Sequence, residues 1–197
     1  MGQLLDAEIN YVVSGLERSG TSLLMQMLKA TACPVAFDES RPPDPNNPKG
    51  YYELEGGKII NRLMDGTFPF KEYQGTFVKI TAYGLKYLPR GRYKIIYSER
   101  NIEEILDSME KMAQIKDTER QETKQSFLRL NTMIRNLIST RDDCDVLFVN
   151  YNKILSDPEQ QIKAICKFLN LSDTCISMMV QSIDKKLYRQ RRITPLF

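Results

Sequence analysis

The sequence predicts an α/β protein with a mostly parallel central sheet flanked by helices. Short apolar runs of β-rich composition alternate with longer stretches of helical period, and this alternation favours strands covered by helices. The strand candidates are residues 9–15, 76–81, 93–99 and 145–151, and the helix candidates are residues 22–30, 102–115, about 119–139 and 158–171. No internal repeat accompanies the pattern.

Each of these elements has local support in the sequence. The first strand candidate, INYVVSG, ends in glycine and is followed directly by the helical run SLLMQMLKA. The other strand candidates are TFVKIT, YKIIYSE and DVLFVNY, and helical periods lie between them, for example in IEEILDSMEKMAQI. The helix PEQQIKAICKFLNL is preceded by Asp157, a good N-cap residue, and starts with Pro158, which suits the first helical position.

A proline-rich segment interrupts the pattern between residues 33 and 50. It reads CPVAFDESRPPDPNNPKG, with few apolar residues, and it predicts a long loop. Loops of this length are often functional lids or binding loops, but they are also often plain exposed connections. The composition leaves both interpretations open.

The composition also restricts the chemistry. A chain of 197 residues favours a single domain over 1–197. It contains no histidine, which excludes a histidine general base, a Ser-His-Asp or Cys-His nucleophile and an HExxH zinc site. The formal charge of +3 is too small to indicate a nucleic-acid partner, although basic residues cluster in the tail at 184–197.

The expected location is the cytoplasm. The four cysteines form no CxxC pair and are typical of reduced, partly buried thiols. The first residues, MGQLLDAE, lack the basic start and apolar run of a signal peptide. No apolar stretch approaches the roughly 20 residues that span a bilayer, so we expect no membrane partner.

The segment GLERSGTS joins the first strand to the first helix and predicts an anion site. Such a turn directs backbone N–H groups and the positive end of the helix dipole at one place, which suits phosphate or sulfate. Gly15 and Gly20 have P-loop spacing, but Thr21 takes the lysine position, Ser22 follows it, and the cation is Arg18 inside the loop. This departure disfavours ATP or GTP hydrolysis. The alternative is a turn that simply joins strand to helix.

Four segments in chain order resemble the sulfotransferase family. RSGTSLL resembles its 5′-phosphosulfate loop, and YSERNIEEILDSMEKM resembles its second signature, a strand ending in arginine (Arg100) with a serine eight positions later (Ser108). VKITAYGLKYLP is similar to the family segment that carries a lysine, and VNYNKILSDPEQQIKAICKFLNL to its Tyr…Asp-Pro…Phe-Leu segment. The resemblance runs from about residue 9 to residue 171. It implies a P-loop-like three-layer sandwich.

The resemblance also implies an activity, which is transfer of a sulfuryl group from 3′-phosphoadenosine 5′-phosphosulfate (PAPS) to a hydroxyl or amine acceptor, without a metal. Arg18 with the loop would stabilise the leaving phosphate, and Lys79 would act on the sulfuryl group. Arg100 and Ser108 would hold the 3′-phosphate, since an arginine fork suits phosphate, and Tyr151 would lie near the adenine. The implied cofactor-binding residues are Arg18, Ser19, Gly20, Thr21, Ser22, Arg100, Ser108 and Tyr151.

Each of these side chains also has a plainer interpretation. Arg100 could form a surface ion pair with Glu103 or Glu104, and Ser108 could lie on a solvated helix face. Lys79 could be an edge-strand lysine in solvent, and a strand-end tyrosine such as Tyr151 is more often simply packed.

The candidate general base is a carboxylate rather than a histidine. Where many family members carry a catalytic histidine, this chain has Thr81, which cannot act as a base at neutral pH. NPKGYYE resembles a stretch of small bacterial sulfotransferases with an acidic residue after Gly-Tyr-aromatic, so Glu53 is the candidate catalytic base and Glu55 the second. Either would need raised basicity. Alternatively, Glu53 only opens a helix at about residues 53–65.

Two other functions remain open at this point. One is a P-loop small-molecule kinase that uses ATP and Mg²⁺, and the other is a non-catalytic nucleotide-binding module of the same fold. The basic tail adds Arg191 and Arg192 as outside candidates for a further 3′-phosphate cation, although it lacks the glycine of the family's late segment. The acceptor is not identified by the sequence.

Overall fold

A parallel sheet with strand order β2-β1-β3-β4 forms the centre of the computed structural model, which describes residues 5–188. All three strand pairs are parallel. The strands are β1 (Asn10–Gly15), β2 (Phe77–Thr81), β3 (Tyr93–Glu99) and β4 (Cys144–Asn150). The helices are α1 (Thr21–Ala30), α2 (Ile59–Met64), α3 (Ile102–Ala113), α4 (Arg120–Thr140), α5 (Tyr151–Ser156), α6 (Pro158–Leu169) and α7 (Thr174–Ser182).

Helices cover both faces of the sheet, because successive side chains of a strand point to opposite faces. Tyr11 and Val13 of β1 belong to one core cluster, with buried residues of α1, α6 and α7. Val12 belongs to the other cluster, with buried residues of α2, α3 and α4. The strand is therefore buried on both sides, and the predicted α/β architecture, a helix-flanked parallel sheet in three layers, is confirmed.

The element boundaries differ from the predicted ones in a few places. The helix expected at about residues 53–65 is divided into a 3-10 turn (Glu55–Gly57) and α2, because Gly56 and Gly57 have positive φ. Pro158 opens α6 as predicted, but the Asp157 side chain makes no capping hydrogen bond. The helices α5 and α7 were not predicted, because both are short.

The carboxyl ends of β1, β2 and β3 meet at one edge of the sheet. Gly15 is in register with Thr81 of β2 and with Ser98 of β3. In open parallel sheets ligands bind outside this edge, so the turn after β1 lies where a site is expected.

The described residues bear on the C-terminal arginines and on the expectation that no helix spans a membrane. The C-terminal segment is described as far as Tyr188, so Arg191 and Arg192 lie outside the described residues. Within residues 5–188, no helix combines the length and the apolar character needed to cross a membrane.

Candidate functional site

A cavity of about 380 Å³ opens at the carboxyl edge of the sheet. Its walls come from the turn after β1, the start of α1, the proline-rich segment and the residues that follow it, the end of β2, the residue after β3, α3 and the start of α5. The sequence-predicted site residues in these walls are Arg18, Gly20, Thr21, Ser22, Glu53, Lys79, Arg100, Ser108 and Tyr151. Residues separated by more than half of the chain are thus brought to one place.

The turn after β1 has a shape that only glycine allows at two positions. Gly20 has φ 101°, and a Cβ placed on it would lie 2.1 Å from Cδ2 of Tyr151. A Cβ on Gly15 would lie 2.5 Å from the carbonyl oxygen of Ser98. α1 begins at Thr21 with Gly20 as its N-cap, so the first amides of the helix face the cavity without a capping side chain. The turn is built for close approach of a ligand to the backbone.

Ser19 supports this turn from below. Its side chain is fully buried, and its hydroxyl has no hydrogen-bond partner among the described residues. Its amide donates to the carbonyl of Leu16 at 3.1 Å, and its carbonyl accepts from Ser98 Oγ at 2.7 Å. Ser19 therefore braces the loop. It is not among the residues that line the cavity, and its contact with a ligand stays a prediction.

The two sequence signatures meet through Arg18. Its Nε donates to Ser108 Oγ at 2.9 Å, and its carbonyl oxygen accepts from Nη1 of Arg100 at 3.0 Å. Arg18 has φ 63°, an uncommon value for a residue with a side chain. Ser108 is buried, so the alternative in which it lies on a solvated helix face is wrong.

Arg100 is held on several sides at the end of β3. Its Nε donates to Oε2 of Glu104 at 3.0 Å, and its guanidinium carbon lies 4.7 Å from the ring centroid of Tyr151. The Arg100 side chain is 7% exposed. The ion pair with Glu104 considered from the sequence does form, but it is buried rather than on the surface.

Lys79 and Glu53 form a buried ion pair on the opposite wall. Lys79 Nζ donates to Glu53 Oε1 at 2.8 Å, to the Tyr51 carbonyl at 2.8 Å and to Ser22 Oγ at 3.1 Å. The two side chains are 8% and 12% exposed. Although β2 is an edge strand, the lysine is therefore not in solvent. Glu53 contacts cations rather than opening a helix.

The charge state of Glu53 follows from this setting. Burial by itself raises the pKa of Glu53, but the charge of Lys79 and hydrogen bonds from Lys79 and Arg41 outweigh it, so the pKa lies below the usual value. As a catalytic base, Glu53 was expected to need raised basicity. The structure gives the opposite direction, a carboxylate that is ionised at neutral pH and only weakly basic.

The other two positions considered for the base differ in their surroundings. Thr81 ends β2 and lines the cavity where the family histidine was expected. Glu55 pairs with Arg62 at 2.9 Å, and both side chains are about 40% exposed. Of the two glutamates, Glu53 is thus the one that lies in the cavity wall.

The proline-rich segment contributes polar groups that the sequence did not single out. Arg41 Nη1 donates to Glu53 Oε2 at 2.9 Å, and its guanidinium carbon lies 3.5 Å from the ring centroid of Tyr51. Asn47 Nδ2 donates to Ser22 Oγ at 3.1 Å. A loop with no hydrophobic period carries no signal for such contacts. The proline-rich segment is therefore more than a plain exposed connection, because it forms part of the cavity wall.

The groups that converge here suit a ligand with more than one anionic group. Arg18, Lys79 and Arg100 supply cations, and the start of α1 supplies backbone amides. Arg18 and Arg100 lie together on the α3 side, whereas Lys79 lies on the β2 side. The donor set therefore fits a nucleotide that carries one phosphate at the loop and a second one beside Arg100.

A parallel sheet with a glycine-containing turn between its first strand and first helix defines a P-loop-like α/β fold. The chain belongs to the sulfotransferase family, since the Sulfotransferase domain family model matches residues 8–192. No curated protein sequence matches the chain significantly.

Solved sulfotransferase structures share the fold at low sequence identity. The sulfotransferase domain from the olefin synthase of Synechococcus PCC 7002 is 18% identical, with a TM-score of 0.60, and the match covers 100% of this chain and 93% of that domain. Sulfotransferase STF1 from Mycobacterium tuberculosis H37Rv is 15% identical, with a TM-score of 0.55 and coverage of 93% and 76%. Mouse sulfotransferase SULT7A1, solved in complex with PAP, is 15% identical, with a TM-score of 0.51 and coverage of 91% and 65%.

Proposed function

We propose that the protein transfers a sulfuryl group from PAPS to a hydroxyl or amine group of an acceptor. One observation carries the proposal. The turn after β1, Lys79 and Arg100 converge on a single cavity at the carboxyl edge of the parallel sheet. Family membership and a PAP-bound structural neighbour support PAPS as the donor.

Different residues of the cavity would hold different groups of the donor. The amides at the start of α1 and the guanidinium of Arg18 would hold the 5′-phosphosulfate, and Arg100 with Ser108 would hold the 3′-phosphate. Tyr151 offers a ring for the adenine. When bound, PAPS supplies the sulfuryl group and leaves as adenosine 3′,5′-bisphosphate (PAP).

The acceptor side is the wall that carries Lys79 and Glu53. Lys79 would place a positive charge beside the moving sulfuryl oxygens, where electrostatic stabilisation counts most. Glu53 is the carboxylate that would take the proton of the acceptor. Its lowered pKa makes it a weak base, so it would act late, when the acceptor oxygen has already begun to bond to sulfur.

We expect the protein to bind PAP with at least a hundredfold preference over ATP. Thr21 occupies the position of the P-loop lysine that an ATP γ-phosphate requires, whereas Arg100 offers a cation to a 3′-phosphate. Isothermal titration with each nucleotide measures the preference, with and without Mg²⁺. Affinity for PAP should not depend on the metal. Tight, Mg²⁺-dependent ATP binding without PAP binding would establish the kinase alternative instead.

We expect Glu53→Gln to lower the turnover number by about a hundredfold or more, the usual contribution of a general base. Because the pKa of Glu53 is lowered, the carboxylate persists to low pH, and kcat/KM should stay flat from neutral pH down to about 4.3, the ordinary carboxyl value. The assay follows PAP release from PAPS with a panel of hydroxyl and amine acceptors.

Glu55→Gln is the matched control for this experiment, because Glu55 pairs with Arg62 at the partly exposed surface. It should keep wild-type turnover. If Glu53→Gln also keeps wild-type turnover, Glu53 is not the base. If the wild-type protein binds PAP but turnover stays at background with every acceptor, the non-catalytic module is the better description.

A further inference from the structure

Glu104 is a fully buried carboxylate next to the nucleotide cavity, on the first turn of α3. Its Oε2 accepts from Arg100 Nε and from Asn152 Nδ2, both at 3.0 Å. Its Oε1 accepts from the hydroxyl of Tyr188 at 2.5 Å. A buried glutamate is costly unless it is paired and hydrogen-bonded, and here both oxygens are.

The partners of Glu104 come from three different parts of the chain. Arg100 follows β3, Asn152 lies in α5 and Tyr188 belongs to the C-terminal segment. Burial and the hydrogen bond to Glu104 raise the pKa of Tyr188 to about 12, so the phenol keeps its proton and donates to the carboxylate. The carboxylate is therefore a common acceptor for donors from three parts of the chain, and one of them, Arg100, lines the cavity.

The geometry of Arg100 depends on this acceptor. At one end of its guanidinium plane, Nε donates a hydrogen bond to Glu104. Nη1 donates to the carbonyl oxygen of Arg18 in the turn after β1. A planar fork fixed at two of its nitrogens has a fixed orientation. Losing Glu104 would remove the hydrogen-bond acceptor of Nε and leave the guanidinium plane less well oriented.

We propose that Glu104 is a positioning residue that orients Arg100 toward the 3′-phosphate and, through Arg100, connects that subsite to the turn after β1. This inference rests on the proposed function, since it assumes a nucleotide with a 3′-phosphate. A purely structural pair would serve equally well as two apolar side chains of similar volume. The position of Arg100, which lines the cavity between the Arg18 carbonyl and the Tyr151 ring with Glu104 behind it, argues for orientation instead.

The test compares binding of PAP with binding of adenosine 5′-phosphate, which lacks the 3′-phosphate, by isothermal titration. We expect Glu104→Gln to weaken PAP roughly tenfold and adenosine 5′-phosphate by less than threefold. Arg100→Ala is less informative, because it also removes the contact to the Arg18 carbonyl and would weaken both nucleotides.

Glu103→Gln is the matched control. Glu103 is the neighbouring residue in the same helical turn, but it pairs with Arg120 and Lys124. The Glu103→Gln variant removes the same charge from the same end of α3 and should change PAP affinity less than twofold. An equal loss in both variants would overturn the proposal in favour of a general charge effect.

A double-mutant cycle tests whether Glu104 acts through Arg100. In an Arg100→Lys background, which keeps the charge but not the fork, adding Glu104→Gln should weaken PAP less than threefold further. Equal effects of Glu104→Gln with and without Arg100→Lys, or equal losses for both nucleotides, would leave only a structural role and overturn the proposal.

A second variant keeps the test decisive if Glu104→Gln does not fold. Tyr188→Phe removes one donor to Glu104 and keeps the ring, and it should weaken PAP about twofold to threefold without affecting adenosine 5′-phosphate; unchanged PAP binding would contradict the proposal. If the wild-type protein binds no PAP, the proposed function fails. If it does and these variants bind like wild type, only the inference about Glu104 fails.

Discussion

Replacing Gly20 with alanine is expected to abolish measurable PAP binding, a loss of at least a hundredfold. The new Cβ would lie 2.1 Å from Cδ2 and 2.6 Å from Cε2 of Tyr151, and φ at this position is 101°, which disfavours any side chain. Either the turn or the ring has to move. Movement of the turn would displace the amides that we propose hold the 5′-phosphosulfate, and movement of the ring would displace the Tyr151 side chain that we propose lies near the adenine.

Gly66→Ala provides the control for backbone strain alone. Gly66 also has a positive φ, 67°, but a Cβ there would meet no atom within 4 Å. This variant should lose about 1 kcal/mol of unfolding free energy and keep PAP affinity. Titration of both variants, with urea unfolding to verify the fold, separates the clash from the strain. Wild-type affinity in Gly20→Ala would contradict the assigned role of the turn.

Lys79→Met is expected to lower the free energy of unfolding by about 2–4 kcal/mol, because it leaves the carboxylate of Glu53 buried with Arg41 as its remaining cationic partner. Urea unfolding followed by circular dichroism measures the loss. The double variant Lys79→Met with Glu53→Gln should recover part of it, since the buried carboxylate that lost Lys79 is then replaced by a neutral amide. Lys86→Met, at an exposed position on the following 3-10 turn, should leave stability within about 0.5 kcal/mol.

The pH dependence of this loss has a definite sign. Because the pKa of Glu53 is lower in the folded protein than in the unfolded chain, its ion pair stabilises the fold above the ordinary carboxyl pKa of about 4.3. The contribution is lost as the pH falls through the lower folded value. The stability difference between wild type and Lys79→Met should therefore be full at pH 7 and shrink below about pH 4. A difference that grows on acidification would contradict the buried pair.

The strands and the position of the turn after β1 could be predicted from sequence because both depend on local pattern. INYVVSG followed by RSGTS places a strand, a turn and a helix start within a short window. The order of the strands could not be predicted, since apolar runs of similar composition do not specify their neighbours. Lys79 shows the same limit, because an edge-strand position predicts solvent, whereas contacts with Tyr51 and Glu53 bury it.

The site was predicted less completely than the fold for a related reason. Arg18, Arg100 and Ser108 belong to recognisable motifs, but Arg41 lies in a proline-rich loop without period, and its contact with Glu53 is set by tertiary structure. The direction of the Glu53 pKa was also out of reach, because it depends on which cations lie beside the carboxylate.

The parallel pairing of β1 also determines when the site can form during synthesis. Tyr11 pairs with Phe77, and Asn10 with Tyr93, so the first strand leaves the ribosome long before either neighbour exists. The turn is then braced by Ser98 and packed against Tyr151. At about 5–20 residues per second, β1 stays without its neighbouring strands for several seconds. The proposed nucleotide site therefore cannot form until β3 and α5 have been synthesised, because Ser98 and Tyr151 support the turn after β1.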